Sequence, residues 1–203
     1  MSIRNKMSYA EKYGYEFVIK GIKDRDRDAS WANIPALLET MEEYPNSDWL
    51  WWIDSNIFIS NPSISLSSNI LRDVKFPEYA NKEMIIGYDC HGLNAASFLI
   101  RNSLWSRKFL ETVYNSKLFK DFEDEEIAMQ VLIDFEAIEV GSKIIFVPLR
   151  TLNALPLNRN CSNDDKYKWH KDDFVVNFAG CEEVQNICEK RFNEITKHLN
   201  RNF

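Results

Sequence analysis

The stretch Asp48-Trp49-Leu50-Trp51-Trp52-Ile53-Asp54-Ser55-Asn56-Ile57-Phe58-Ile59 decides how the rest of the chain is read. Its first half is a near-continuous apolar and aromatic run, the pattern of a strand buried on both faces. Alternation along such a strand sends Trp51 and Trp52 to opposite sides. A carboxylate, a hydroxyl and an amide follow where the run breaks. Open α/β sheets bind ligands just outside the carboxyl ends of their strands. Asp54, Ser55 and Asn56 are therefore polar groups delivered by a stiff strand to a candidate binding edge, although a strand followed by an ordinary polar turn explains the same residues.

Elements of alternating type flank this strand. Residues 2 to 13 read as a helix stopped by Gly14, and Tyr15 to Lys20 alternate as a short strand does. Residues 22 to 28 form a charged loop, either solvated or set beside a phosphate site. Ser30 can cap a helix to about Glu43 that turns Trp31, Ile34, Leu37, Leu38 and Met41 to one face. After the central strand, residues 66 to 74 suit a short helix. Met84 to Tyr88 is a strand leading into Asp89-Cys90-His91-Gly92, and Leu93 to Ile100 is another, with small residues at Ala95, Ala96 and Ser97 that permit close approach. Ser103 caps a helix to about Asn115. Asp124 to Phe135 is a further helix with Ile127, Val131 and Leu132 inward, and its acidic start suits the helix dipole whatever else it does. Lys143 to Val147 is a strand stopped by Pro148. Residues 150 to 172 are a long irregular stretch whose Arg150, Arg159, Lys166, Lys168 and Lys171 either close over a diphosphate or are simply solvated. Phe174 to Phe178 and a helix from Glu182 to about Asn200 complete the chain. This order predicts an α/β fold with a mostly parallel central sheet flanked by helices.

Composition narrows the function. The 203 residues suffice for one substantial core, so one domain, 1–203, is expected. Net charge is −6 and no basic face is evident, which disfavours nucleic acid as a partner. Any anionic ligand must be held locally, by a metal, by helix N-termini or by a few Lys and Arg. No apolar run approaches the roughly 18 residues of a membrane span, and the first residues lack a signal-peptide core, so a soluble chain is expected. The four cysteines, at 90, 161, 181 and 188, are too few for a disulfide scaffold; Cys181 and Cys188 could bridge locally or stay reduced. Aromatics reach 13%, with six Trp, which suits a sugar site and a large core equally.

Six stretches in this order resemble glycosyltransferase family 34, the fungal Golgi galactosyl- and mannosyltransferases and plant xyloglucan xylosyltransferases. They are Asn5-Lys6 with Tyr9-Ala10 and Gly14-Tyr15; Trp31-Ala32-Asn33; Trp51 to Asn56; Gly92 to Asn102; Asp124 to Met129; and Phe174 to Cys181. The resemblance implies the GT-A (Rossmann-like) nucleotide-sugar transferase fold, a UDP-sugar donor, a glycan acceptor and a divalent cation, Mn²⁺ or Mg²⁺. It also implies that the family's first strand lies before Met1, or that another segment takes its place. Asp54-Ser55-Asn56 lies where the family carries Asp-x-Asp, so Asp54 and Asn56, with Asn177, are the implied metal ligands. Trp31, Asn33, Asp54, Ser55, Asn94, Ala95, Ser97 and Gly180 are the implied donor-binding residues. Glu126 and Asp124 lie where the family faces the reacting carbon.

Departures from the family pattern matter. Asn56 stands for the second Asp, Asn177 for a His ligand, and Asn33 for a usual Lys. Each removes a charge or a good ligand, so the cation is expected to bind weakly. Glu126 stands for a Gln, adding a carboxylate that can act as nucleophile or base. The expected activity is sugar transfer from a nucleoside diphosphate to a glycan hydroxyl. A catalytically inactive GT-A domain that binds a glycan or a protein is the alternative. The compartment stays open between a Golgi lumen, for an excised eukaryotic domain, and the cytoplasm, for a viral or microbial one.

Overall fold

The structure, a computed structural model, describes residues 2–21, 27–156, 166–179 and 185–199. Helix α1 (Ser2–Tyr13) ends at Gly14, whose φ of 68° is the left-handed turn that a glycine adopts without strain. Helix α2 (Asn33–Glu43) is preceded by a 3₁₀ turn over Ala29–Ala32, and no side chain caps it, so Ser30 is not the expected cap. Then come β1 (Trp49–Ile53), β2 (Ile57–Ile59), β3 (Met84–Tyr88) and β4 (Leu93–Arg101). The expected helix over 66 to 74 is a short π turn at Leu66–Ile70 followed by a 3₁₀ turn at Asp73–Lys75. Helix α3 (Leu104–Asn115) starts where Ser103 Oγ accepts the Ser106 N–H at 3.1 Å, as the capping pattern predicts. Helices α4 (Glu125–Phe135), α5 (Arg150–Asn153) and α6 (Gln185–Leu199), with strands β5 (Ile144–Pro148) and β6 (Val175–Asn177), complete the set.

The main sheet has the order β1-β4-β3-β5. Strands β1 and β3 both pair antiparallel with β4, and β3 pairs parallel with β5. Three strands thus point one way, and β4 runs against them from inside the sheet. The expectation of a mostly parallel sheet gives way to a mixed one. The cause is local: Asp89 to Gly92 turns the chain back on itself, the Asp89 N–H bonds to Gly92 O at 2.9 Å, and Gly92 has a φ of 126°. A reversal this tight can join only antiparallel neighbours. A second, two-stranded antiparallel sheet joins β2 to β6.

Tyr15 to Lys20 is not the expected strand. It carries no regular secondary structure and pairs with no strand among the described residues, so alternation alone does not make it one.

The two faces of the main sheet are both covered, as β1 requires. Trp52 packs into a core with α2, α3 and α4 residues including Leu37, Phe109 and Met129. Trp51 faces the other core, where its ring stacks on Phe174 at 5.3 Å and meets Tyr9 edge-on at 6.0 Å. On α4, Leu132 is buried but Ile127 is exposed, not inward as expected. Cys90 is disulfide-bonded. The local bridge between Cys181 and Cys188, most of the charged loop at 22–28 and Arg159 lie outside the described residues. Among the described residues no helix is long and apolar enough to cross a membrane.

Candidate active site

The carboxyl ends of β1 and β3, the start of β4 and the N-terminus of α4 meet at one edge of the main sheet. Asp54 follows β1 directly, and its N–H donates to Ala96 O of β4 at 2.9 Å, which ties the residue to the sheet. Its Oδ1 accepts the Trp52 indole N–H at 2.8 Å. Burial raises the Asp54 pKa, against the Trp52 hydrogen bond and the nearby Lys6 ammonium. No ion pair holds Asp54 among the described residues.

The other acids approach from the neighbouring elements. Glu126, in the first turn of α4, reaches across to β4, where the Ala95 N–H donates to its Oε1 at 2.6 Å. Burial pushes Glu126 up to about 7, reinforced by the charges of Asp124, Asp89 and Asp54 even though the Ala95 bond opposes them. That set of interactions marks the four carboxylates as one electrostatic cluster. Asp124 is the N-cap of α4, its Oδ1 accepting the Ile127 N–H at 3.1 Å. Asp89 follows β3 directly, accepts the His91 N–H at 2.7 Å and takes the Asn94 Nδ2–H at 3.2 Å.

The amides are placed differently from one another. Asn56 Oδ1 is buried and has no hydrogen-bond partner, two residues from the Asp54 carboxylate. Asn177 is buried in β6, its Oδ1 already accepting the Ala179 N–H at 2.8 Å and its Nδ2 turned to Asn153 Oδ1 at 3.5 Å. Asn33 does not reach the cluster's open side; it is 2% exposed, and its Nδ2 donates to Glu125 Oε1 at 2.6 Å. Ser97 is fully buried and accepts the Trp51 indole N–H at 2.8 Å. Trp31 is a core residue capped by the Arg27 guanidinium at 4.1 Å from its ring. Ser55 is exposed at the turn, and Gly180 lies outside the described residues. The fold therefore gathers Asp54, Asn56, Asn94, Ala95, Asp124 and Glu126, and directs Trp31, Asn33, Ser97 and Asn177 into packing or scaffold bonds.

Sequence reasoning passed over several residues. Lys6 of α1 is buried, with its Nζ donating to Ser2 Oγ at 2.6 Å and to Ser55 O at 3.4 Å. Burial lowers its pKa to about 8, with Asp54 acting in the opposite sense. Asn5 exchanges two hydrogen bonds with the main chain of Ile59, at 3.0 Å and 2.8 Å, as a neighbouring strand would. Asn153 donates to Ser97 O at 2.8 Å and so supports β4 from α5. Asp89 had a signal: it breaks an apolar run, as Asp54 does. Lys6 and Asn5 sit in a stretch that matches the family, but nothing local shows what they touch.

A cavity of about 740 Å³ runs along the free edge of β1, lined by Lys6, Tyr15, Trp49, Trp51, Trp52 and Ile53 among others. None of Asp54, Asp89, Asp124 and Glu126 lines it; it adjoins the cluster through Trp52, Ile53 and Lys6. Among the described residues no three His, Cys, Asp or Glu side chains come together as a metal site of their own. A cation here would rest on Asp54 and amide or main-chain oxygens, and the unpartnered Asn56 Oδ1 is a donor of the right hard-oxygen kind.

The fold has a solved counterpart. A glycosyltransferase involved in glycosylation of the major capsid of PBCV-1 superposes with a TM-score of 0.67 over 97% of this chain and 90% of that one, at 14% identity. The class is thus an α/β protein of the GT-A type. Residues 1–188 match the model of the galactosyl transferase GMA12/MNN10 family, and the chain belongs to that family. It is 33% identical over 216 residues to the probable alpha-1,6-mannosyltransferase MNN10 of Saccharomyces cerevisiae, a match covering 89% of this chain and 55% of the relative. An uncharacterized alpha-1,2-galactosyltransferase of Schizosaccharomyces pombe is 30% identical over 219 residues, covering 89% of this chain and 62% of the relative. The chain therefore spans little more than half the length of these relatives.

Proposed function

We propose that this protein transfers a sugar from a nucleoside-diphosphate donor, UDP-linked, to a glycan hydroxyl, with Mn²⁺ or Mg²⁺ at Asp54. Family membership supports glycosyl transfer, and the names of the relatives point to a hexose, mannose or galactose. The observation that carries the reading is the convergence of Asp54 and Glu126 on one sheet edge, with the buried, unpartnered oxygen of Asn56 beside them. A bound cation would neutralise charge on the departing diphosphate. Asp54 and Asn56 would hold it by oxygen, with Asn177 less available because its Oδ1 is already engaged. Lys6 adds a positive charge at the same turn. Asn94 would orient the donor sugar. Glu126, with one oxygen fixed by Ala95 and a pKa near neutrality, is the group suited either to attack the anomeric carbon as the nucleoside diphosphate leaves or to take the proton of the acceptor hydroxyl. Asp124 is committed to its helix cap and would act through charge alone.

The test is turnover of UDP-galactose, UDP-glucose and GDP-mannose with Mn²⁺, read as nucleoside diphosphate released with and without glycan acceptor. No release with any donor, together with no thermal shift from UDP and Mn²⁺ at millimolar concentration, would remove this reading. The inactive binding module has its own support in Asn177, which is built into the scaffold. Turnover appearing only in an Asn56→Asp, Asn177→His double variant would establish that alternative.

A further inference from the structure

We propose that Glu125 carries a proton at neutral pH and closes with the Asn33 carboxamide a ring of two hydrogen bonds, making Glu125 the positioning residue that sets the start of α4 and so the placement of Glu126. The two residues are 92 positions apart and both buried, at 2% and 4% exposure. One bond of the ring is present: Asn33 Nδ2 donates to Glu125 Oε1 at 2.6 Å. The other oxygen of each group, Asn33 Oδ1 and Glu125 Oε2, is buried without a partner. If the carboxyl were ionised, both would be acceptors, and neither could answer the other. Leaving buried acceptors unanswered forfeits their hydration without return. A single proton on Oε2 satisfies both at once, because it donates to Oδ1.

The surroundings agree. Burial pushes Glu125 up to about 8; the charges of Glu126 and Asp124 act in the same direction, while its main-chain bond and Asn33 oppose them. Those two acids, from the helix's own start, are the charged groups that act on it, and α2 presents only the neutral Asn33. The neutral pair does mechanical work. It fastens the first turn of α4 to the first turn of α2, so that Glu126, the next residue, turns the other way to β4 and meets the Ala95 N–H. A negative Glu125 would instead repel Asn33 Oδ1 and crowd a fourth charge against Glu126.

The role in placing Glu126 rests on the transferase reading above; the protonation state does not. Two measurements on the intact chain separate them. Infrared difference spectra, wild type minus Glu125→Gln, should show at pH 7 the carbonyl band of a protonated carboxyl, and Glu126→Gln should leave that band in place. Glu125→Gln can form the same two-bond ring without titrating. It should keep kcat within about twofold and hold it level above about pH 8, where ionisation of Glu125 is expected to lower the wild-type kcat, whereas Glu125→Ala should lower kcat by about tenfold to a hundredfold, with KM little changed. Absence of the band, or a Glu125→Gln variant as impaired as Glu125→Ala, overturns the proposal. The band with no turnover in any variant would support the neutral pair and count against the transferase reading alone.

Discussion

The Ala95 main-chain N–H and Glu126 Oε1 lie 2.6 Å apart, so one oxygen of the reactive carboxylate candidate is fixed by the sheet itself. A Gln at 126 keeps an oxygen for this bond but cannot attack or take up a proton. Glu126→Gln is therefore expected to fold with a melting temperature at or above that of the wild type. Its kcat should fall by about 10²- to 10⁴-fold. Activity within a few-fold of the wild type would take Glu126 out of the chemistry.

Asp54 accepts the Trp52 indole N–H, and an Asn at 54 can do the same. Asp54→Asn should consequently spare the fold while removing the charge offered to a cation. Transfer is expected to fall by about a hundredfold or more, and the thermal shift caused by Mn²⁺ with UDP should largely disappear. An unchanged cation titration would move the metal elsewhere.

Asn5 acts as a one-residue strand on the edge of β2 through its two bonds to Ile59. Asn5→Ala leaves an N–H and a carbonyl of Ile59 without those partners, next to the turn that carries Asp54. Stability should drop by about 1–3 kcal/mol, seen as a lower denaturant midpoint at unchanged slope. A midpoint equal to that of the wild type would show that water replaces the side chain without loss.

The raised pKa values of the two α4 glutamates fix the sign of a pH effect on stability. From the ordinary 4.5, burial pushes Glu126 up to about 7 and Glu125 up to about 8. Above about pH 4.5 the unfolded chain releases these protons while the folded chain retains them. The folded state then binds more protons, so stability falls as pH rises, until about pH 8. Melting temperatures measured from pH 5 to 8 should decline, and Glu125→Gln and Glu126→Gln should each flatten part of the slope. A rise over this range that both variants leave intact would contradict the burial of the two groups as acids.

Much of this arrangement is legible in the amino-acid sequence. The run from Trp49 to Ile53 is a strand with Trp51 and Trp52 on opposite faces, and Asp54 stands at its carboxyl end. The helix stop at Gly14, the Ser103 cap and the acidic start of α4 are likewise as read. Each is a short-range matter of periodicity, φ preference or capping. Two residues read as donor-binding, Trp31 and Ser97, are packed inside, because aromatic and small residues carry the same local pattern in a core as in a pocket. Tyr15 to Lys20 alternates like a strand, but alternation supplies no partner to pair with.

The sequence alone determined where a carboxylate leaves a buried strand and which family the chain follows, since both are written in contiguous residues. Tertiary structure alone decided that β4 lies between β1 and β3, that Asn5 serves Ile59 across 54 positions, and that Asn33 is taken by Glu125 across 92. The reason is physical. A hydrogen-bonding side chain declares its need for a partner, but which partner answers depends on surfaces brought together by loops, and no local pattern encodes that meeting.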